Sequence, residues 1–349
     1  MPGFLDDMAA GSRTRMAQAM AREPLAALRR RCVDLPQPPA LRHAGGFNVI
    51  AELKLRSPSK GELAGAQPDV EGRVLGYAAA GAVAVSVLTE PLRFAGSLEH
   101  LEAAATALAR VGVPAMRKDF LVDPYQLYEA RAAGAGGALL IVRMLAPPQL
   151  GEMLDCAREL GLFVLLEAFD EADLEVATDL VARHVPTGTR GPGGRGPPER
   201  ATLSGASGVG ARPDPARARV ANGPDKSRVR DPAGRPLAAR LNASLEGAHA
   251  TSDATSGGAD SKAAPLLVGV NSRDLQTLEV VPGRLVELAP RLPRNCPRVA
   301  ESGLSTPADA ARIARVGYDM ALVGSALMRA PDPVGLLSAM LAAGRAALR

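Results

Sequence analysis

Charged and polar side chains follow several apolar runs of this 349-residue chain. The run at residues 47–51, Phe-Asn-Val-Ile-Ala, leads directly into Glu52 and Lys54. Four later runs end in the same way, at Lys118, Glu167, Asn271 and Glu301. Carboxylates and ammonium groups that share a partly desolvated pocket push one another's pKa values apart. Brought together, these side chains predict a site that offers both an acid and a base near neutral pH.

Two of these interpretations have simpler alternatives. Glu52 and Lys54 are two residues apart, so they point to the same face of a strand, and they could form a plain ion pair at its end. Lys118 could be a surface cation. It follows the apolar run 113–116 and precedes Asp119-Phe120, which favours the end of a buried strand instead.

Short apolar segments alternate with helical patterns from Phe47 to the end of the chain, which is typical of strand–helix units on a parallel sheet. The sequence predicts eight strands, at about residues 47–54, 82–88, 113–118, 137–143, 162–167, 266–271, 297–301 and 319–324. Eight such strands close a barrel, and barrel active sites lie at the face where the strands end. We therefore expect the charged residues to converge on one mouth.

Two segments stand apart from this pattern. Residues 4–31 predict one or two amphipathic helices that cover the barrel. Their expected buried residues are Phe4, Leu5, Met8, Met16, Met20, Leu25 and Leu28. The chain then divides into an N-terminal helical extension (1–46), barrel strands one to five (47–185), an insertion (186–265) and barrel strands six to eight (266–349).

The insertion 186–265 is rich in Gly, Pro, Ser, Arg and Ala and has no Phe, Tyr, Trp or Ile. Such a composition cannot bury enough apolar surface to offset the entropy of ordering, so it predicts disorder. It holds twelve Lys and Arg against seven Asp and Glu, a balance of +5 within a total of +4, so the remainder carries −1. Because the insertion also lacks aromatic stacking platforms, we expect no nucleic-acid partner.

The cysteines, the histidines and the apolar segments limit the classes of protein to which this chain could belong. Three scattered cysteines, Cys32, Cys156 and Cys296, suit free thiols in a reducing compartment. Four dispersed histidines give no metal centre or histidine triad, and no cofactor motif is present, so we expect neither a metal nor a cofactor. The absence of a long apolar span or signal-like start predicts a cytoplasmic protein with no membrane contact.

Six segments, in order along the chain, resemble the indole-3-glycerol phosphate synthase family. They are 50–61 (IAELKLRSPSKG), 117–126 (RKDFLVDPYQ), 164–167 (VLLE), 269–275 (GVNSRDL), 300–303 (AESG) and 322–325 (LVGS). The resemblance implies a (β/α)8 TIM barrel with an N-terminal helical extension, here with an unusual insertion between helix five and strand six. It also implies a carboxy-lyase of tryptophan biosynthesis, which closes the ring of 1-(2-carboxyphenylamino)-1-deoxyribulose 5-phosphate with loss of carbon dioxide and water.

The resemblance also suggests roles for the charged residues. Lys118 would be the acid at the sugar carbonyl, and Glu167 the leading base. Glu52 would position Lys118, while Lys54 would serve as a second acid or a phosphate contact. Asn271 would bind substrate hydroxyls. Glu301 joins them as the third carboxylate of the pocket, and the division of work between the two lysines is left open.

Further residues are expected to bind the substrate. Ser302-Gly303 and Gly324-Ser325 follow strands seven and eight, where many barrels bind phosphate through backbone N–H groups, although each pair could also be a plain turn. The resemblance implies a slot for the anthranilate ring and contacts around it, from Ser57, Pro58, Phe94, Phe120, Leu275 and Leu322. Arg273 would contact the substrate carboxylate or pocket wall, or would brace a neighbouring glutamate.

The sequence differs from the family pattern at one place, and two alternative functions are considered. Residues 168–170 read Ala-Phe-Asp where the family more often has a Val-His-Asp-like run, beside the expected base. The alternative enzyme is phosphoribosylanthranilate isomerase, another phosphate-binding barrel of the same pathway. The alternative without catalysis is a barrel scaffold whose basic insertion binds a partner. Oligomeric state and contacts with other enzymes of the pathway have no signature in the sequence.

Overall fold

The computed structural model describes residues 3–42, 45–58, 61–63, 69–185, 265–275 and 277–349. Residues 186–264, for which the sequence predicts disorder, lie outside the described residues. Within the described ranges, no helix is long and apolar enough to cross a membrane.

Eight parallel strands form a closed barrel, as the sequence predicts. In chain order the strands are β1 (Asn48–Leu53), β2 (Arg56–Ser57), β3 (Gly61–Glu62), β4 (Ala84–Leu88), β5 (Ala115–Lys118), β6 (Gly137–Ile141), β7 (Phe163–Ala168), β8 (Leu266–Asn271), β9 (Arg298–Glu301) and β10 (Met320–Val323). The short strands β2 and β3 pair antiparallel in the connection after β1. The other eight follow one another around the barrel in chain order, and β10 pairs with β1 to close it. Their almost continuous burial explains why most of them read as largely apolar runs.

Helices cover the barrel and return the chain from one strand to the next. They are α1 (Phe4–Arg22), α2 (Leu25–Val33), α3 (Val70–Ala79), α4 (Pro91–Phe94), α5 (Leu98–Ala109), α6 (Pro124–Ala132), α7 (Pro147–Glu159), α8 (Glu171–His184), α9 (Arg284–Leu288), α10 (Pro307–Val316), α11 (Ser325–Arg329) and α12 (Pro333–Ala346). Several begin as the sequence predicts, with proline in the first turn after a capping side chain. Asp123 accepts from the Tyr125 N–H at the start of α6, and Thr306 from the Asp309 N–H at the start of α10.

The N-terminal helix α1 packs against the inside of the barrel. Met8 is buried in one apolar cluster with inward-facing side chains of the strands, including Ile50, Met116 and Leu165. The prediction that Met20 is buried is wrong, because 37% of it is exposed. Ala19 packs against the core, and the rotation of about 100° per helical residue turns the next side chain toward solvent.

Candidate active site

One pocket at the carboxyl ends of the barrel strands brings together every residue that the sequence predicts for the site. Those residues are Glu52, Lys54, Ser57, Pro58, Phe94, Lys118, Phe120, Glu167, Asn271, Arg273, Leu275, Glu301, Ser302, Gly303, Leu322, Gly324 and Ser325. The pocket contains about 990 Å³ of space that no atom occupies, counted out to its open mouth.

Lys118 lies between two carboxylates from other strands of the barrel, Glu167 of β7 and Glu301 of β9. Its Nζ atom is 2.7 Å from Glu167 Oε2 and 3.4 Å from Glu301 Oε2. β5, which ends at Lys118, stands directly across the closed barrel from β9, which ends at Glu301. Both carboxylates are almost completely buried, whereas 17% of the Lys118 side chain is exposed. A lysine ammonium has three N–H donors, so one remains for a molecule in the pocket.

Lys118, Glu167 and Glu301 shift one another's pKa values. Burial alone would lower the pKa of the Lys118 ammonium, but the Glu167, Glu301 and Glu52 carboxylates outweigh burial and raise it. Burial would raise the pKa of Glu167, but the Lys118 charge and hydrogen bonds from Lys118, Glu301 and Asn271 lower it. Burial and the negative charge of Glu167 together raise the pKa of Glu301 well above its ordinary value. Glu301 therefore holds a proton more readily than Glu167 does, and Lys118 keeps its proton more firmly than an isolated lysine.

Glu301→Gln should become more stable relative to the wild type as the pH rises. The raised pKa means that the folded state holds the Glu301 proton more tightly than the unfolded chain does. The stability linked to that proton is complete below the ordinary value of 4.5 and is lost as the pH rises through the raised pKa. The carboxamide of the variant stays neutral throughout this range.

Thermal unfolding of both proteins from about pH 5 to pH 9 measures this effect. We expect the difference in Tm, variant minus wild type, to increase with pH. Glu175→Gln, at an exposed position of α8, should show no such trend. If the difference in Tm between Glu301→Gln and the wild type did not change with pH, the raised pKa of Glu301 would be contradicted.

Glu52 pairs directly with Lys54, and its role in positioning Lys118 stays a prediction. The Lys54 Nζ atom lies 2.6 Å from Glu52 Oε1, and 14% of the Lys54 side chain is exposed. Residues two apart on one strand face reach each other directly, whereas the direct contacts to Lys118 come from Glu167 and Glu301. The effect of Glu52 on Lys118 is electrostatic.

Asn271 connects Glu167 to the loop after β8. Its amide Nδ2 donates to Glu167 Oε1 at 3.2 Å, and its Oδ1 accepts from the Arg273 backbone N–H at 2.9 Å. The Arg273 guanidinium donates to the Leu278 carbonyl, which holds this side chain against the loop after β8. Arg273 lines the pocket, and the charge of Glu52 acts on it.

Backbone N–H groups cluster on the β9 and β10 side of the pocket. Ser302 and Gly303 follow β9 and both have left-handed φ angles, 65° and 73°. Gly324 precedes the short helix α11, whose first residue is Ser325. Within the described chain, the N–H groups of these four residues donate no hydrogen bond to protein. Any side chain at Gly324 would collide with Glu52, because a Cβ atom there would lie 2.2 Å from Glu52 Oε1.

Aromatic rings form the opposite wall. The Phe94 and Phe120 ring centroids are 6.2 Å apart, and Phe4 of α1 packs edge-on against Phe120 at 5.9 Å. Pro58 and Leu275 line the same pocket. A flat apolar group fits such a wall, since aromatic pairs favour tilted and edge-to-face contacts.

The sequence interpretation missed Phe4 and Asp119, which also line the pocket. Phe4 reads only as an apolar position of a helix, and its contact with Phe120 spans more than a hundred residues, so no local signal could have revealed it. Asp119 had a signal, since it directly follows Lys118. Its carboxylate accepts hydrogen bonds from Arg15 of α1 at 2.8 Å and from the Thr89 hydroxyl at 2.8 Å. Asp119 thereby fixes the segment that carries Lys118.

Phe169, the departure beside Glu167, lies outside the pocket lining. Its ring is buried, and the Arg143 guanidinium stands 4.8 Å from its centroid. Asp173 accepts from the Phe169 N–H at 2.8 Å and from Arg143 Nε at 2.8 Å. These contacts join the loops after β6 and β7 behind the pocket.

No group of three or more His, Cys, Asp or Glu side chains in the described ranges is arranged to hold a metal ion. The expectation that the site needs no metal or cofactor stays a prediction.

Comparison with known proteins points to one family. Residues 5–190 and 255–338 match the sequence profile described as Indole-3-glycerol phosphate synthase, and the residues left out in between fall inside the insertion. The indole-3-glycerol phosphate synthase of Nocardioides sp. is 36% identical over 340 residues, covering 96% of this chain and 97% of the relative. Indole-3-glycerol phosphate synthase 1 of Streptomyces coelicolor is 32% identical, covering 97% and 95%. The Kineococcus radiotolerans enzyme of the same name is 33% identical, with the same coverage. These matches support neither the isomerase nor the scaffold alternative.

Proposed function

The chain belongs to the indole-3-glycerol phosphate synthase family, and from this premise we propose that its pocket closes the indole ring in tryptophan biosynthesis. The substrate is 1-(2-carboxyphenylamino)-1-deoxyribulose 5-phosphate. The aromatic carbon that bears the carboxylate bonds to the sugar carbonyl carbon, and the carboxylate leaves as carbon dioxide. Loss of water then gives indole-3-glycerol phosphate, so the enzyme is a carbon–carbon lyase of the carboxy-lyase class.

Lys118 acts on the sugar carbonyl in this proposal. The aromatic carbon attacks that carbonyl only if the negative charge that develops on its oxygen is neutralised. The Lys118 ammonium supplies the positive charge and a free N–H donor, and its raised pKa keeps it protonated until the oxygen takes the proton. Glu167 and Glu301 hold the ammonium in place.

Glu167 acts as the base of the dehydration. When Lys118 turns toward the substrate oxygen, Glu167 loses the hydrogen bond that lowers its pKa and becomes a better proton acceptor. It can then remove the proton from the ring-nitrogen side. The departing hydroxyl needs a proton at the same stage, and both Lys54 and Glu301, whose pKa is raised, lie in the pocket to supply it.

The shape of the pocket agrees with the two ends of this substrate. The aromatic wall of Phe4, Phe94 and Phe120 suits the anthranilate ring. The N–H cluster beside β9 and β10 suits the phosphate, since loops after the last two strands of such barrels, with the start of a short extra helix, are a common phosphate site. The aromatic wall and the N–H cluster lie on opposite sides of the pocket mouth, because β5 and β9 are opposite each other in the barrel.

The observation that carries the proposal is the Lys118 ammonium held between Glu167 and Glu301 in the middle of this pocket. Its test is an incubation of purified protein with the arylamino-deoxyribulose phosphate, followed by indole fluorescence and by release of carbon dioxide. We expect one carbon dioxide per indole product, with no added metal, nucleotide or flavin. Substrate consumption without an indole product would refute the function, and activity that a chelator abolishes and a divalent ion restores would refute the metal-free reaction.

Replacement of residues 187–264 by a short Gly/Ser turn should leave kcat/KM within about threefold of the full chain. Pro265 lies at the amino end of the barrel, where its carbonyl accepts from the Val164 N–H at 3.1 Å near the start of β7. Helix α8 returns the chain to this same end, opposite the pocket. Steady-state kinetics of the shortened protein measure the effect. Lost activity in a protein whose circular dichroism is unchanged would mean that the segment contributes to the site.

A further inference from the structure

Ser272 links the ends of two barrel strands beneath the N–H cluster. It directly follows Asn271, the last residue of β8, and is only 2% exposed. Its backbone N–H donates to the Glu301 carbonyl at 3.0 Å. Its hydroxyl oxygen lies 3.1 Å from the Glu301 carbonyl and 3.1 Å from the Ser302 carbonyl. The single hydroxyl proton is therefore donated to one of these carbonyls or shared between them.

The turn that Ser272 contacts has an unfavourable backbone conformation. Ser302 has a φ of 65°, and only two other non-glycine residues in the described ranges have a positive φ. The left-handed conformation is unfavourable for a non-glycine residue, so surrounding contacts must maintain it. Gly303, at 73°, is pressed against the loop after β8. A Cβ atom on it would lie 2.9 Å from Val280 Cγ1 and 3.3 Å from the Ser272 hydroxyl oxygen.

Peptide geometry transmits this contact to the pocket. The Ser302 carbonyl and the Gly303 N–H belong to one planar trans peptide, so they point in opposite directions. A hydroxyl that holds the carbonyl on one side therefore fixes the N–H on the other. Gly303 lines the pocket, and its N–H has no protein acceptor within the described chain.

We propose that Ser272 is a positioning residue for phosphate recognition, which holds the Ser302–Gly303 peptide so that its N–H donates to the phosphate of the substrate. This role rests on the proposed function, because it assumes that the phosphate binds beside β9 and β10. Ser272 does not touch the substrate itself. Its effect should appear in the affinity for phosphate and leave the chemical step largely unchanged.

Two substitutions test the role in the full-length protein. Ser272→Ala removes the hydroxyl, and Ser272→Cys replaces it with a weaker donor of similar size. Each should raise KM and the inhibition constant of inorganic phosphate by about tenfold, with kcat within about threefold of the wild type. Ser272→Thr retains the hydroxyl and should restore both constants to within about threefold. Ser305→Ala removes an exposed hydroxyl from the same loop and should change neither.

Calorimetric titration with inorganic phosphate separates this proposal from the proposed function, because it needs no turnover. Weaker phosphate binding by Ser272→Ala and Ser272→Cys, but not by Ser272→Thr or Ser305→Ala, supports the role even if the wild type forms no indole product. Unchanged phosphate affinity in either of the first two variants overturns it, as does a wild type that binds no phosphate. A fall in kcat with unchanged KM would also overturn it, since Ser272 would then act through Glu301.

Discussion

Lys118→Ala should lower kcat by at least ~10²-fold while changing KM by less than about threefold, the pattern expected when a group that acts mainly in the transition state is removed. The variant loses the only ammonium that contacts both Glu167 and Glu301 in the described site. Nothing then neutralises the charge that develops on the sugar carbonyl oxygen. Steady-state kinetics with the arylamino-deoxyribulose phosphate measure both constants.

Lys118→Arg provides the matched comparison. It keeps the positive charge between the carboxylates, but its guanidinium is larger and does not release a proton at any ordinary pH. We therefore expect it to retain the fold and to lose most of kcat as well. If Lys118→Ala instead kept a kcat near that of the wild type, Lys118 would not be the acid. Lys54, whose ammonium lies in the same pocket, would then be the candidate.

Glu167→Gln should lower kcat by ~10² to 10⁴-fold, the range typical of a lost general base. Glutamine has the same shape, and its carbonyl oxygen can still accept the hydrogen bond from Asn271 Nδ2. It cannot accept a proton from the ring-nitrogen side of the substrate. KM should change little, because Lys118 and the N–H cluster remain.

Glu175→Gln, on the exposed side of the helix that follows β7, is the control for Glu167→Gln and should keep the wild-type kcat. The pH dependence of kcat adds a second readout. The acidic limb that reports ionisation of the base should be present in the wild type and absent from Glu167→Gln. A variant with unreduced kcat would assign the base to another carboxylate of the pocket.

The barrel was predictable because its strands are buried on both faces. Most strands are therefore largely apolar, and the charged or polar residue at or beside the end of five of them marks the mouth. The predicted residues reached one pocket for the same reason, since their places at strand ends fix where they converge.

Pairings within the pocket could not be read from the sequence in the same way. The choice of Glu301 rather than Glu52 as a direct partner of Lys118 depends on which strands face each other across the barrel and on side-chain reach. The docking of α1, which brings Phe4 to Phe120, depends on tertiary packing that leaves no periodic signal. The burial of Met20 was predicted wrongly because apolar residues on a helix do not by themselves define which face is covered.

A crystal structure of the complex with indole-3-glycerol phosphate would test most directly whether this pocket performs the reaction. We expect the phosphate within hydrogen-bond distance of the Gly303 and Ser325 backbone N–H groups and the indole ring against Phe120. The indole ring should lie within contact distance of both Lys118 and Glu167, where ring closure and proton removal would take place. Product bound outside this pocket, or bound with its phosphate on the Phe120 side, would contradict the proposed active site.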